Sequence, residues 1–296
     1  MQAAVRRERA SNSVDSIEMK PVIFALTFAI VLVSASPAFA QASVAAVPGT
    51  IPTAAAPQDE NARKARVLLD QMIQALGGPA YLNIHDMSQE GRTYTFFHGD
   101  PTGAGAPYWR FWKWPDKDRL ELTKQRDWVI IHTGDKGYEV TYKGTTPEEK
   151  EALTDYLRRR EYSLEWVLRS WLKEPGIILL YDGPALAERK QADQVTILNA
   201  SNQSVSIAID INTHLPLKKT FTWRDPSDRL KNEEFESYAN YKLIQGVMTP
   251  LSISRGRNGD PLNQRFINTV RYNQNLPDSL FSVSATYDPN AAPRKR

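Results

Sequence analysis

The chain has 296 residues, with 37 lysines and arginines against 34 aspartates and glutamates, a net charge of +3, and no cysteine. So even a balance excludes the basic excess by which nucleic-acid binders grip phosphate backbones. The absence of thiols excludes disulfides, thiolate metal sites, cysteine nucleophiles and a cysteine-linked lipid anchor.

Taken in chain order, Arg6, Arg7, Arg9 and Lys20 form a basic flank before an apolar run, Val22 to Val33. The run ends in small residues and the motif Ala38-Phe39-Ala40. A membrane-spanning helix needs roughly 20 apolar residues, and this run is shorter. The pattern predicts a cleaved export signal over residues 1–40, with Met19 as an alternative start and an uncleaved anchor as the competing reading. The expected location is the periplasm, with the mature chain untethered. Gln41 to Gln58 is uncharged and rich in Ala, Pro, Val and Thr, which predicts a flexible linker over 41–58. About 230 residues then remain for one large β domain, 59–286, before a basic disordered tail at 287–296.

Between Asn61 and Leu76 the apolar residues Ala65, Leu68, Leu69, Met72, Ile73 and Leu76 recur at helical spacing. Asp59 is the expected cap, and Gly77-Gly78-Pro79 the stop. The period then changes. Residues 87–97, 108–114, 119–125, 128–133 and 138–142 are short, aromatic and β-branched, and Gly, Pro and Asp separate them. That spacing predicts an antiparallel meander. Thr146-Pro147-Glu148-Glu149 reads as the start of a helical insertion over 147–173, with Thr146 as cap and Pro147 at its first position. Its apolar stripe runs from Leu153 to Leu172, broken near Tyr162-Ser163. Short strands resume at 177–181, 185–190, 194–198, 204–211, 217–223, 232–241, 247–255 and 262–272.

The segment YWRFWKW puts Trp109 and Phe111 on one face, and Tyr108, Trp112 and Trp114 on the other. Both faces must therefore be covered, by core or by the contents of a cavity. The four histidines, His85, His98, His132 and His214, are scattered and match no metal-ligand spacing. Nucleophile-elbow and phosphate-loop motifs are absent as well, so the expectation is no enzyme, no cofactor and no metal. Arg158-Arg159-Arg160 reads either as a solvated helix face or as a docking patch for anionic headgroups or an acidic partner.

Three pieces carry a family resemblance: Ala75-Leu76-Gly77-Gly78 leading through Ile84 to the strand at Gly91, Tyr238 to Ile253, and Val270 to Val283. With the order helix, meander, helical insertion, meander, the chain resembles the LolA/LolB-like superfamily over Asp59 to Val283. More narrowly, it resembles periplasmic outer-membrane lipoprotein-sorting proteins. The resemblance implies a mainly β (α+β) fold: a curved, half-open antiparallel β-barrel with an N-terminal helix and a helical insertion as its lid. It implies a carrier or binder of lipoprotein acyl chains or other lipid, working in outer-membrane biogenesis, with inner- and outer-membrane partner proteins. A sensor or interaction module on the same fold is the alternative. On this reading the cavity candidates are Trp109, Phe111, Trp128, Ile130, Phe221 and Trp223, with Trp166 and Trp171 as lid contacts, and either face of the strands could point inward. No residue here matches the arginine that latches the lid of the LolA carrier.

Overall fold

The structure, a computed structural model, describes residues 57–283. The expected export signal, nearly all of the linker and the C-terminal tail lie outside the described residues. Helix α1 (Pro57–Leu76) leads through a short α2 (Pro79–Leu82) into a meander. This comprises β1 (Asp86–Phe97), a short β2 (Asp100–Pro101), β3 (Ala106–Lys113), β4 (Lys117–Leu122), β5 (Trp128–Thr133), β6 (Lys136–Thr141) and β7 (Gly144–Pro147). Two helices follow, α3 (Lys150–Glu161) and α4 (Leu164–Arg169), with a 3-10 turn at Trp171–Lys173. A second meander closes the fold: β8 (Ile178–Ala187), β9 (Lys190–Leu198), β10 (Ser204–Asp210), β11 (Pro216–Arg224), β12 (Lys231–Ile244), β13 (Val247–Arg257) and β14 (Asp260–Tyr272).

All these strands join one antiparallel sheet, in the order β7-β6-β5-β4-β3-β1-β14-β13-β12-β11-β10-β9-β8, with β2 pairing β1. The first meander starts at the centre and runs out to one edge. The helices then carry the chain to the other edge, and the second meander returns to pair β14 with β1. Since β7 and β8 do not meet, the sheet is a curved half-open barrel rather than a closed one.

Two glycines permit close approaches of main chain to main chain. Gly77 has φ +126°, and a Cβ there would run into the carbonyl oxygen of Gly246 in the β12–β13 turn. At Gly91, beside a bulge in the β1–β14 pairing, a Cβ would strike the carbonyl oxygen of Phe266. Gly77 and Gly91, both in the stretch that carries the resemblance, are thus contact points where main chain meets main chain.

The core fills one half of the concave face. From α1, Ala65, Leu69 and Met72 are fully buried against Val195, Ile197, Val205 and Ile207 of the second meander, with Val167 of α4 and Trp171 beside them. Arg169 pins α4 down, donating to the carbonyl oxygens of Tyr81 (2.7 Å) and Ile84 (2.8 Å). The convex face of β4 and β5 is covered by the segment after β14. Phe281 is buried there, Val283 packs against the buried Val129, Ile131 and Val140, and Arg119 donates to Leu280 O.

Several local expectations are corrected. Helix α1 begins at Pro57, ahead of Asp59, as suits a proline whose missing N–H costs nothing in a first turn. Pro147 lies in edge strand β7, paired with Tyr138, and α3 starts only at Lys150 after Glu149. An edge position tolerates a proline, because its missing donor would face outward. The expected strands 177–181 and 185–190 are largely one strand, β8, with an irregularity between Tyr181 and Gly183. The predicted break in the insertion is present: Ser163 caps α4, its hydroxyl accepting from the Trp166 N–H at 3.2 Å.

Candidate functional site

The part of the concave face that the core leaves open encloses a cavity of about 470 Å³, roofed by α3 and the start of α4. Strand alternation decides what lines it. From β3 come Tyr108, Arg110 and Trp112; from β4, Asp118, Leu120 and Leu122; from β5, Ile130 and His132. The register agrees, since Tyr108 faces Leu122, Arg110 faces Leu120, and Leu120 faces Ile130. Leu76, Tyr81 and Ile84 contribute from the α1–α2 end, Leu164 from α4, and Met248 and Ile253 from β13.

The same alternation turns Trp109 and Phe111 away from the cavity, which corrects the inward assignment. On the outer face the Trp109 indole N–H donates to Glu90 (3.1 Å), and the Arg126 guanidinium lies 5.0 Å from its ring and 5.9 Å from that of Phe111. Glu121, paired to both Arg119 and Arg126, completes that face. Arginine stems over aromatic rings cover apolar surface while their heads stay wet. Trp128 shares the cavity face with Leu122 but is 43% exposed at the strand's end. Of the eight candidates, Ile130 is the one that lines the cavity.

The remaining four sit in or beside the lid's packing. Phe221 stacks on Tyr162 at 4.4 Å, and Trp171 meets the edge of the same ring at 5.4 Å. Trp166 packs against Trp114 at 5.3 Å, and Trp223 lies beneath Arg158 at 3.4 Å. These aromatics fasten the insertion to the sheet.

The arginine triplet of α3 faces the sheet and not solvent, against the docking-patch reading. Arg158 pairs with Asp155 and lies 3.4 Å from Glu234, with its side chain 12% exposed. Arg159 and Arg160 line the cavity, and Arg160 donates to Gly134 O.

The cavity wall also holds a polar cluster that no motif announced. Arg110 pairs with Asp118 at 2.7 Å, and the Tyr156 hydroxyl donates to the same carboxylate at 3.4 Å. The Tyr156 ring stacks on His132, whose Nε2 lies 2.8 Å from Glu148. Burial works against the charge of Arg110, and Asp118 more than restores it, holding the guanidinium above its ordinary range. Burial, then Asp118, pushes the Tyr156 phenol far up, and burial holds His132 below its usual value despite Asp118 and Glu148. The available signal was Arg110 itself, a charge on the otherwise aromatic Tyr108–Trp112 face. Across the sheet, Lys219, 1% exposed, donates to Glu236 (3.0 Å) and to Tyr162 O (2.8 Å). Glu236 is held down at about 2, against the effect of its burial, chiefly by Lys219 and Arg265.

No group of His, Cys, Asp or Glu among the described residues is arranged to hold a metal ion. Among them, too, no helix is long and apolar enough to cross a membrane.

No family model and no curated protein matches this sequence. Solved structures do match. A DUF1329 family protein from Desulfovibrio piger aligns over 77% of this chain and 99% of its own, at 12% identity and a TM-score of 0.53, so the two share a fold. A LolA superfamily protein from Nitrosomonas europaea aligns over 74% of this chain and 97% of its own, at 14% identity and a TM-score of 0.47. A domain provisionally assigned to outer membrane lipoprotein sorting, from Vibrio parahaemolyticus, aligns over 76% of this chain and 98% of its own, at 10% identity and a TM-score of 0.48.

Proposed function

We propose that this chain is a periplasmic carrier or binder of lipoprotein acyl chains or another lipid, of the outer-membrane lipoprotein-sorting kind. The observation that carries the reading is the cavity of about 470 Å³, left unfilled by side chains between the curved sheet and the α3–α4 roof. Ligand pockets in proteins run from about 300 to 1,000 Å³, so the space suits a small lipid or part of an acyl chain. Each methylene moved from water into such a space gains about 0.8 kcal/mol. A sensor module would not need an unfilled interior, so the cavity favours the carrier.

On this reading the protein performs no chemistry on its cargo. One group of titratable residues in the wall engages within itself: Asp118 accepts from Arg110 and Tyr156, and Glu148 holds His132. Membrane proteins at either end of a transfer route would load and unload it.

The test is native mass spectrometry of the protein expressed with its leader and purified gently from the periplasm, followed by lipid extraction. The expected result is a co-purifying acylated species. A ligand-free mass, with no uptake of added lipid or acylated peptide, would sink the carrier and leave the fold standing.

A further inference from the structure

The cavity wall is not uniformly apolar, and its charges do not cancel. Arg110 is matched by Asp118 at 2.7 Å, and Glu236 is matched by Lys219 at 3.0 Å. Glu234 is taken by Arg257 (2.9 Å) and Arg158 (3.4 Å). Of the wall's remaining charges, Arg160 donates to Gly134 O and Glu165 makes no close ion pair among the described residues, which leaves three guanidiniums, Arg159, Arg255 and Arg265, against one free carboxylate. Arg159 has Asp155 only at 3.9 Å, a carboxylate already held by Arg257 at 2.7 Å. Among the described residues the side chains of Arg255 and Arg265 make no hydrogen bond or close ion pair, and the buried Nε of Arg255 has no acceptor.

We infer that Arg159, Arg255 and Arg265 form a seat for an anionic headgroup, so that the cargo is a single amphiphile with a phosphate or carboxylate at the end of its alkyl chain. The inference rests on the lipid-binding reading and names the substrate class within it. Guanidiniums desolvated in a cavity wall with no close ion partner of their own are costly, and a planar fork of donors fits a phosphate or carboxylate in two-point contact. Burial and then repulsion from Arg255 bring Arg159 down to about 10, and burial lowers Arg255 against the pull of Glu236 and Glu234, with a smaller push from Arg265. A bound anion would relieve this repulsion. Leu120, Leu122 and Ile130 on the facing strands supply the apolar surface for the alkyl chain.

The test is calorimetric titration with four probes: dodecyl phosphate, dodecanoate, the neutral 1-dodecanoylglycerol, and inorganic phosphate. The expected result is that at least one anionic alkyl probe binds about tenfold or more tighter than the neutral one. Arg255→Gln and Arg265→Gln should each weaken that probe about tenfold, the scale of one charge-assisted hydrogen bond, and leave the neutral probe unchanged. Without ligand, Arg255→Gln should melt no lower than the parent, because it removes a desolvated charge that has no close ion partner. Which anion binds tighter separates a phosphate from a carboxylate source. Equal affinity for neutral and anionic probes overturns the seat and leaves the lipid reading intact. Inorganic phosphate binding as tightly as dodecyl phosphate overturns the amphiphile, and a large fall in melting temperature in Arg255→Gln shows a structural arginine instead. If no alkyl probe binds, the lipid reading itself fails.

Discussion

The ring of Tyr156 lies flat on the imidazole of His132, with 3.4 Å between centroids and 4° between planes. This contact joins the roof helix α3 to strand β5, and Glu148 secures the other side of the imidazole at 2.8 Å. Because burial, aided by Arg159, lowers the folded-state value of His132, the unfolded chain binds the extra proton first. Stability from this group is therefore complete above about pH 6.5, the ordinary histidine value, and is lost as pH falls below it. The expected outcome is a melting temperature that drops between pH 7 and 5, and a shallower drop in His132→Gln. A parent curve flat across that window would contradict the assignment.

Lys219 and Glu236 respond to acid in a different range. Glu236 is held at about 2, so its contribution is intact above the ordinary carboxylate value and is lost only as pH falls toward 2. Replacing the buried Lys219 by Met removes the counter-charge and a donor to Tyr162 O together. The expected cost is about 3 kcal/mol by urea unfolding, in line with breaking other buried pairs from one side. In the double variant Lys219→Met, Glu236→Gln, part of that loss should return, since no unpaired charge remains.

Gly77 tests the main-chain contact between the α1 terminus and the β12–β13 turn. Alanine there meets a positive φ of +126° and the carbonyl of Gly246 at once. A loss of more than about 1 kcal/mol is expected, because the strain at positive φ alone reaches that size. Alanine at Gly99, also at positive φ but with open space around it, should cost less. Equal losses at the two sites would leave only backbone conformation at work, not the close approach.

Much of the fold was legible because its signals are local. The 3.6-residue stripe from Ala65 to Leu76, the Gly-Gly-Pro stop and the turn residues between strands each act within a few positions. Pro147 misled because a proline after threonine suits a helix start and an edge strand alike, and only pairing with Tyr138 decides. The site was less legible for the same reason. Which face of β3 turns inward depends on partners in neighbouring elements, Glu90 and Arg126 on one side and Asp118 on the other. Likewise Arg158 to Arg160 read as exposed on their own helix, and become interior once α3 lies across the sheet beside Glu234.

That two-faced strand provides the sharpest test of where cargo sits. Leu120 lies on the cavity wall, while Trp109, on the neighbouring strand, points to the outer face. An aspartate at Leu120 would place a carboxylate against an alkyl chain and beside Asp118, at a desolvation cost that bound lipid cannot offset. Leu120→Asp should therefore lower the co-purifying lipid, read by mass spectrometry, at least tenfold. Trp109→Asp puts its new charge near Glu90 in a water-accessible setting, so it should leave lipid loading unchanged even if it melts a few degrees lower. Circular dichroism of both variants would separate loss of cargo from loss of fold. If Trp109→Asp empties the protein and Leu120→Asp does not, the cargo lies on the convex face and the assigned cavity is wrong.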